Sequence, residues 1–241
     1  MHLFPAIDLR DGKCVRLTQG DFDRETVYGD DPVAVAKAYE AAGAPWIHVV
    51  DLDGARTGEP TNRDAVLAIR AAVACSVQAG GGIRDAALLD AGVDRVVLGT
   101  AAVDEPALVG RLAAGYAGRV AVGLDVRDGE VAIRGWTEGS GHRILEALAR
   151  FEHVGVAAFV VTEIGRDGTL AGPDLEGLRT VLGATQVDVV VSGGVGSLDD
   201  LRALAGVEVD GRRASGVIVG RALYEGRFTV EEAIAACGPV G

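Results

Sequence analysis

The 241-residue chain predicts a closed (β/α)8 barrel made of two similar halves. Three observations lead there: its length, a regular alternation of strand-like and helix-like segments, and a repeat at about half the chain. The length is close to the roughly 250 residues of one complete barrel. Eight short runs rich in Val and Ile are predicted as buried parallel strands: Leu3–Asp8, Trp46–Asp51, Ser76–Ala79, Arg95–Leu98, Val120–Asp125, Ala158–Thr162, Asp188–Ser192 and Gly216–Val219. Helix-like segments separate them. In one, Asp31 stands at a predicted N-cap, Pro32 at the first helical position and Gly43 just past the end. Strand alternating with helix implies right-handed crossovers and parallel pairing. Eight units of about 30 residues each suit a barrel. An open doubly wound sheet would show a glycine-rich fingerprint after its first strand, and Asp8-Leu9-Arg10-Asp11-Gly12 is not one.

The repeat is the strongest of the three observations. Ile7-Asp8-Leu9-Arg10-Asp11-Gly12 recurs as Leu124-Asp125-Val126-Arg127-Asp128-Gly129, and Gly81-Gly82-Ile83 as Gly193-Gly194-Val195. Val97-Leu98-Gly99-Thr100-Ala101 matches Ile218-Val219-Gly220-Arg221-Ala222, and His48-Val49-Val50-Asp51 matches Phe159-Val160-Val161-Thr162. Four pairs in the same order imply two four-stranded half-barrels, about 1–118 and 119–241, in a single domain spanning 1–241.

Composition excludes several function classes. The net charge of −12 disfavours nucleic acid and anionic membrane surfaces as partners. No apolar run approaches the roughly 18 residues of a membrane span, and the N-terminal residues lack signal-peptide character. Cys14, Cys75 and Cys237 are odd in number and lack metal spacing, so reduced thiols and a cytoplasmic location are expected. The four His form no ligand pair, and neither metal nor cofactor is expected. Nothing suggests an assembly beyond a monomer.

In each half a Gly-Gly follows the third strand, and a Gly with a polar residue follows the fourth. Glycine lets backbone N–H groups approach an anion closely. Gly81, Gly82, Gly99 and Thr100 form one candidate phosphate cradle, and Gly193, Gly194, Gly220 and Arg221 the other. Two opposed cradles call for an elongated ligand with a phosphate at each end. Asp8 and Asp125 end strands one and five and face each other across the barrel, midway between the cradles. Asp167, in the loop after strand six, adds a third carboxylate. Carboxylates on opposite sides of a sugar can protonate one atom and deprotonate its neighbour, as an aldose–ketose isomerisation requires.

At this point the sequence resembles the phosphoribosyl isomerase family of histidine biosynthesis along essentially its whole length. The matching segments include Pro5-Ala6-Ile7-Asp8-Leu9, Val15-Arg16-Leu17, Gln19-Gly20-Asp21-Phe22, Asp51-Leu52-Asp53-Gly54-Ala55, Gly81-Gly82-Ile83-Arg84, Gly135-Trp136, Arg166-Asp167-Gly168-Thr169 and Gly220-Arg221-Ala222-Leu223. The resemblance implies an Amadori rearrangement of a bisphosphate aminoaldose: acid-assisted opening of the ribose ring to a Schiff base, then loss of the C2 proton. It implies Asp8 as the base. The acid is Asp167 or the symmetric Asp125, with Asp167 better placed to reach a ring oxygen. Arg16, His48 and Thr162 are implied substrate contacts, and Trp136 a stacking partner for the aminoimidazole ring.

Some relatives also isomerise phosphoribosylanthranilate, and they are similar to this chain in Arg134-Gly135-Trp136, where Arg134 would pair with the anthranilate carboxylate. Gly20-Asp21-Phe22-Asp23-Arg24-Glu25-Thr26 and Asp53-Gly54-Ala55-Arg56-Thr57-Gly58 look instead like the single-substrate enzyme. A sister cyclase carries a Cys-Leu-Asp start and a Lys after strand one, where this chain has Ala6-Ile7-Asp8 and Arg16. A non-catalytic sugar-phosphate-binding barrel is the rival from another class. Three buried carboxylates beside two phosphates would only weaken its binding.

Overall fold

The computed structural model describes residues 1–19 and 21–238; Gly20 of the quoted motif and residues 239–241 of the expected domain lie outside the described residues. In chain order the strands are β1 (His2–Arg10), β2 (Lys13–Thr18), β3 (Asp21–Gly29), β4 (Trp46–Asp51), β5 (Ser76–Gly80), β6 (Arg95–Leu98), β7 (Val120–Arg127), β8 (Glu130–Ile133), β9 (Glu138–Arg143), β10 (Ala158–Glu163), β11 (Val189–Ser192) and β12 (Gly216–Val219). The helices are α1 (Pro32–Ala41), α2 (Leu52–Thr57), α3 (Arg63–Ala72), α4 (Ala87–Asp90), α5 (Thr100–Asp104), α6 (Pro106–Gly115), α7 (Ile144–Phe151), α8 (Leu175–Ala184), α9 (Leu198–Gly206), α10 (Arg221–Tyr224) and α11 (Val230–Cys237).

Eight of the strands pair in parallel around a closed circuit, β1-β4-β5-β6-β7-β10-β11-β12 and back to β1. These are the eight predicted runs, with no end shifted by more than two residues. The predicted cap of α1 is also present: Asp31 accepts from the Ala34 N–H, Pro32 opens the helix, and Gly43 turns out of it at a φ of 88°.

Alternation along each strand divides the core. Phe4, Ala6, Val97, Ala121, Ala158, Val160, Val190 and Ile218 point inward and fill the barrel, with Trp46 packed against them. Their outward neighbours, such as Ile7, Ile47, Val49, Leu98, Leu124 and Phe159, meet the helices in a larger apolar layer. Each fully buried Leu, Ile or Phe in that layer contributes about 1.5–3 kcal/mol.

The four remaining strands were not among the sequence expectations. β2 and β3 extend β1 as an antiparallel ribbon, and β8 and β9 extend β7 in the same way. Each ribbon starts with a two-residue turn, Asp11-Gly12 or Asp128-Gly129. Both residues have positive φ (47° and 75°; 52° and 77°), the signature of a type I′ hairpin.

Those matched turns support the half-barrel relationship, and so do the glycine pairs: Gly81 and Gly193 sit at φ 98° and 97°. One expected match needs correction. The ladders place Val50 opposite Asp8 and Thr162 opposite Asp125, so Val50 corresponds to Thr162, and His48 to Val160 rather than to Phe159. A one-residue slip reverses every side chain across the sheet. It would equate His48, which faces inward, with Phe159, which packs against the helices.

Candidate active site

The C-terminal ends of the barrel strands surround one cavity that takes in both glycine cradles and all three expected carboxylates. β1 and β7 are diametrically opposed in the circuit, so Asp8 and Asp125 face each other across its floor. The β5–β6 and β11–β12 ends are opposed in the same way, which sets the two cradles on opposite sides. The lining contains Arg16, Arg56, Arg84 and Arg134 against Asp8, Asp125 and Asp167. Four arginines therefore converge on the cavity in a chain of net charge −12.

The glycines of each cradle have distinct reasons to be glycine. A Cβ on Gly81 would collide with the Asp51 carbonyl oxygen, and one on Gly82 would lie 2.7 Å from the Gly54 carbonyl oxygen. Gly194 would meet the Gly172 carbonyl in the same way. The pairs therefore let one βα loop lie against the previous one. Gly99 differs, because nothing lies within 4 Å of where its Cβ would be. Gly99 and Gly220 are the N-caps of the short helices α5 and α10. No side chain among the described residues caps either helix start, and free N–H groups at a helix start suit an anion.

Thr100 accepts the Arg134 N–H at 2.8 Å, which anchors the β8–β9 loop to the first cradle. Arg134, Gly135 and Trp136 all have positive φ (54°, 63° and 69°). The Arg134 guanidinium is paired with Glu138. Arg221 does not line the cavity, contrary to expectation. Its guanidinium donates to Glu225 at 2.6 Å and to the Gly168 carbonyl at 2.5 Å. Glu225 lies one helical turn ahead and captures the guanidinium. Arg221 instead braces the loop that carries Asp167.

Arg16, on the β2–β3 ribbon, ties the acids together. Its Nη1 lies 2.6 Å from the Asp8 carboxylate and its Nη2 3.8 Å from Asp167. Gly220 leaves room for the guanidinium, which a Cβ there would strike. Burial pushes the Asp8 carboxyl up to about 6, while Arg16 works against that shift and Asp167 adds to it. Asp167 is likewise raised by burial and opposed by Arg16. Asp125 is raised by burial with no cation to oppose it, only the neutral donors Trp136 and Thr162. The symmetric pair is therefore electrically unequal: Asp8 has a guanidinium partner, whereas Asp125 has an indole and a hydroxyl.

Asp167 is held in place from above. The Gln19 N–H donates to its carbonyl at 3.2 Å and the Gln19 side chain to the Gly165 carbonyl at 2.9 Å, joining the β2–β3 ribbon to the loop after β10. His48 lines the cavity beneath, and its ring is driven down to about 3 by burial and by Arg95 and Arg16, so it is neutral.

Three lining residues were not singled out from sequence. Phe22 is flanked by Arg10 and Arg56, whose guanidinium carbons lie 5.3 and 5.0 Å from its ring centre. Arg56 and Arg84 add charge near the first cradle. Arg84 directly follows the Gly81-Gly82-Ile83 motif, a position that sequence reading could have weighed.

Residues 2–229 match the model of a family described as histidine biosynthesis protein. Several relatives are similar over nearly the whole chain. A Synechococcus elongatus protein is 50% identical over 99% of this chain and 94% of its own length. One from Rhodopseudomonas palustris is 51% identical over 99% and 98%, and one from Gloeobacter violaceus 50% over 99% and 94%. Each is named 1-(5-phosphoribosyl)-5-((5-phosphoribosylamino)methylideneamino) imidazole-4-carboxamide isomerase. The extent of the family match and the identity of these relatives place this chain in the histidine biosynthesis protein family.

Proposed function

We propose that the protein catalyses the isomerisation named for these relatives, an aldose–ketose (Amadori) rearrangement of a bisphosphate aminoaldose in histidine biosynthesis. The observation that carries this reading is the single cavity joining two opposed glycine cradles to three carboxylates and one buried arginine. The cradles hold the two phosphates and stretch the substrate across the barrel mouth, with its reacting ribose over the acids.

Asp167 donates a proton to the ribose ring oxygen; burial raises its carboxyl above the usual carboxylate range, with Arg16 opposing. The C1–O bond breaks, the nitrogen lone pair forms the C=N bond of the protonated Schiff base, and the ring opens. Asp8 then removes the C2 proton. Its electrons form the C1–C2 double bond of the enolamine as the C=N π electrons return to nitrogen. Proton return at C1, with loss of the C2 hydroxyl proton, gives the aminoketose. A base titrating near 6 is ionised at neutral pH while still basic enough to take a proton. Asp125, with Thr162 and Trp136, orients the open-chain sugar and the aminoimidazole ring. The reading includes action as a monomer in the cytoplasm on a small-molecule substrate.

The test is turnover by the purified protein of the histidine-pathway aminoaldose and, separately, of phosphoribosylanthranilate. Turnover of the first alone is the expected result. Turnover of both would make Arg134 a specificity residue. Saturable binding of the first without turnover would overturn the isomerase reading in favour of a binding protein.

A further inference from the structure

Beneath the carboxylates, three polar side chains on adjacent strands form a line that the proton transfers above do not use. The ladders place Gln78 of β5 beside both His48 of β4 and Arg95 of β6. All three are buried; Gln78 is wholly so, at 0% exposure. The Arg95 Nε donates to the Gln78 Oε1 at 2.6 Å, and the Gln78 amide nitrogen lies 2.8 Å from the His48 Nδ1. The Arg95 guanidinium in turn lies over the rings of Trp46 and Phe4, at 4.5 and 5.3 Å. Of the three polar groups, only His48 lines the cavity.

The chemistry of the groups allows one hydrogen-bonding direction. Arginine carries donors and no acceptor. The Gln78 oxygen must therefore face Arg95, and its amide N–H must face His48. A donor directed at Nδ1 requires a lone pair on that nitrogen. In a neutral imidazole the proton is then on Nε2. Desolvation and the nearby Arg95 and Arg16 charges keep the ring neutral.

We propose that Arg95 and Gln78 are positioning residues that lock His48 as the Nε2–H tautomer, so that it donates a neutral hydrogen bond to a substrate oxygen in the cavity. The donor half of this proposal rests on the isomerase reading; the lock does not. Arg16 is already engaged by two carboxylates, so a second donor from the strand beside Asp8 complements it. A neutral imidazole can stabilise developing negative charge on a sugar oxygen without surrendering its proton, and without the reorganisation a water would need.

The protein with isotope-labelled histidine would be examined by long-range proton–nitrogen correlation spectra, beside a Gln78→Glu variant. Glutamate at that position keeps the Arg95 contact but presents only acceptors to His48. The expected wild-type spectrum shows an unprotonated Nδ1 and a protonated Nε2. In the variant the proton moves to Nδ1, and kcat/KM falls about tenfold, the scale of one lost hydrogen bond of about 1.4 kcal/mol. A wild-type ring protonated at Nδ1 would overturn the lock, and that spectrum requires no variant to fold. A tautomer reversed in the variant with kcat/KM within twofold of wild type would overturn the donor role. Absence of wild-type turnover on the histidine-pathway substrate would instead count against the isomerase reading, leaving the spectrum to decide the lock.

Discussion

Replacing Asp8 by Asn is expected to lower kcat by about 10³-fold or more, with KM little changed, as loss of a general base does. The substitution conserves shape, and the amide oxygen still accepts from the Arg16 guanidinium that lies 2.6 Å from the native carboxylate. What it removes is the ability to take the C2 proton. The cradles are on other strands, so phosphate binding persists. Steady-state kinetics of the variant check this. A rise in KM with kcat unchanged would reassign Asp8 to binding.

The same residue sets a pH dependence. Its carboxyl is raised to about 6 by burial, with Arg16 opposing and Asp167 reinforcing the shift. A base must be deprotonated to act, so kcat/KM of the wild type is expected to fall as pH drops through about 6; the acid Asp167 must be protonated, so a loss at higher pH belongs to it. An unperturbed carboxylate would hold activity to about 4. An acid limb centred near 4 would show that Arg16 dominates over desolvation in the free enzyme.

Exchanging Gly81 for Ala is expected to cost about 3 kcal/mol or more of stability, lowering Tm by about 6–12 °C in a chain of this size. Two penalties coincide there. The residue has a φ of 98°, and its Cβ would collide with the Asp51 carbonyl oxygen, which is backbone and cannot swing aside. Gly99→Ala is the matched contrast. Its φ is −94° and its Cβ would enter open space. That variant is expected to melt closer to the wild type than Gly81→Ala does, since the added methyl meets no atom within 4 Å. Its methyl group would instead occupy the first cradle and raise KM about tenfold or more, since one lost hydrogen bond to a charged group is worth about 1.5–3 kcal/mol. Thermal melts and substrate titrations of the two variants separate the roles. Equal Tm losses would mean that Gly99 is structural as well.

Much of this was legible in the residues. Eight Val- and Ile-rich runs separated by helical patterns dictate a parallel sheet buried on both faces, and eight is the number that closes a barrel. The repeat of Asp8 as Asp125 and of Gly81-Gly82 as Gly193-Gly194 placed the acids midway between two cradles before any coordinates. The two antiparallel ribbons could have been read too. Asp11-Gly12 and Asp128-Gly129 are type I′ hairpin dipeptides as well as members of the repeat.

The amino-acid order by itself determined the circuit of strands, because side-chain periodicity and crossover handedness leave few topologies. It also determined which residues end each strand, and so which ones meet at the catalytic face. Only the tertiary structure decided the roles of individual side chains, because these depend on contacts between residues far apart in the chain. Arg16 reaches Asp8 and Asp167 at once, Arg221 turns from its cradle to Glu225 and Gly168, and Gln78 lies between Arg95 and His48. Those contacts break the symmetry that the repeat predicts. Electrostatic and hydrogen-bond energies change over a few ångströms, so two aspartates at equivalent positions in two similar halves meet different partners.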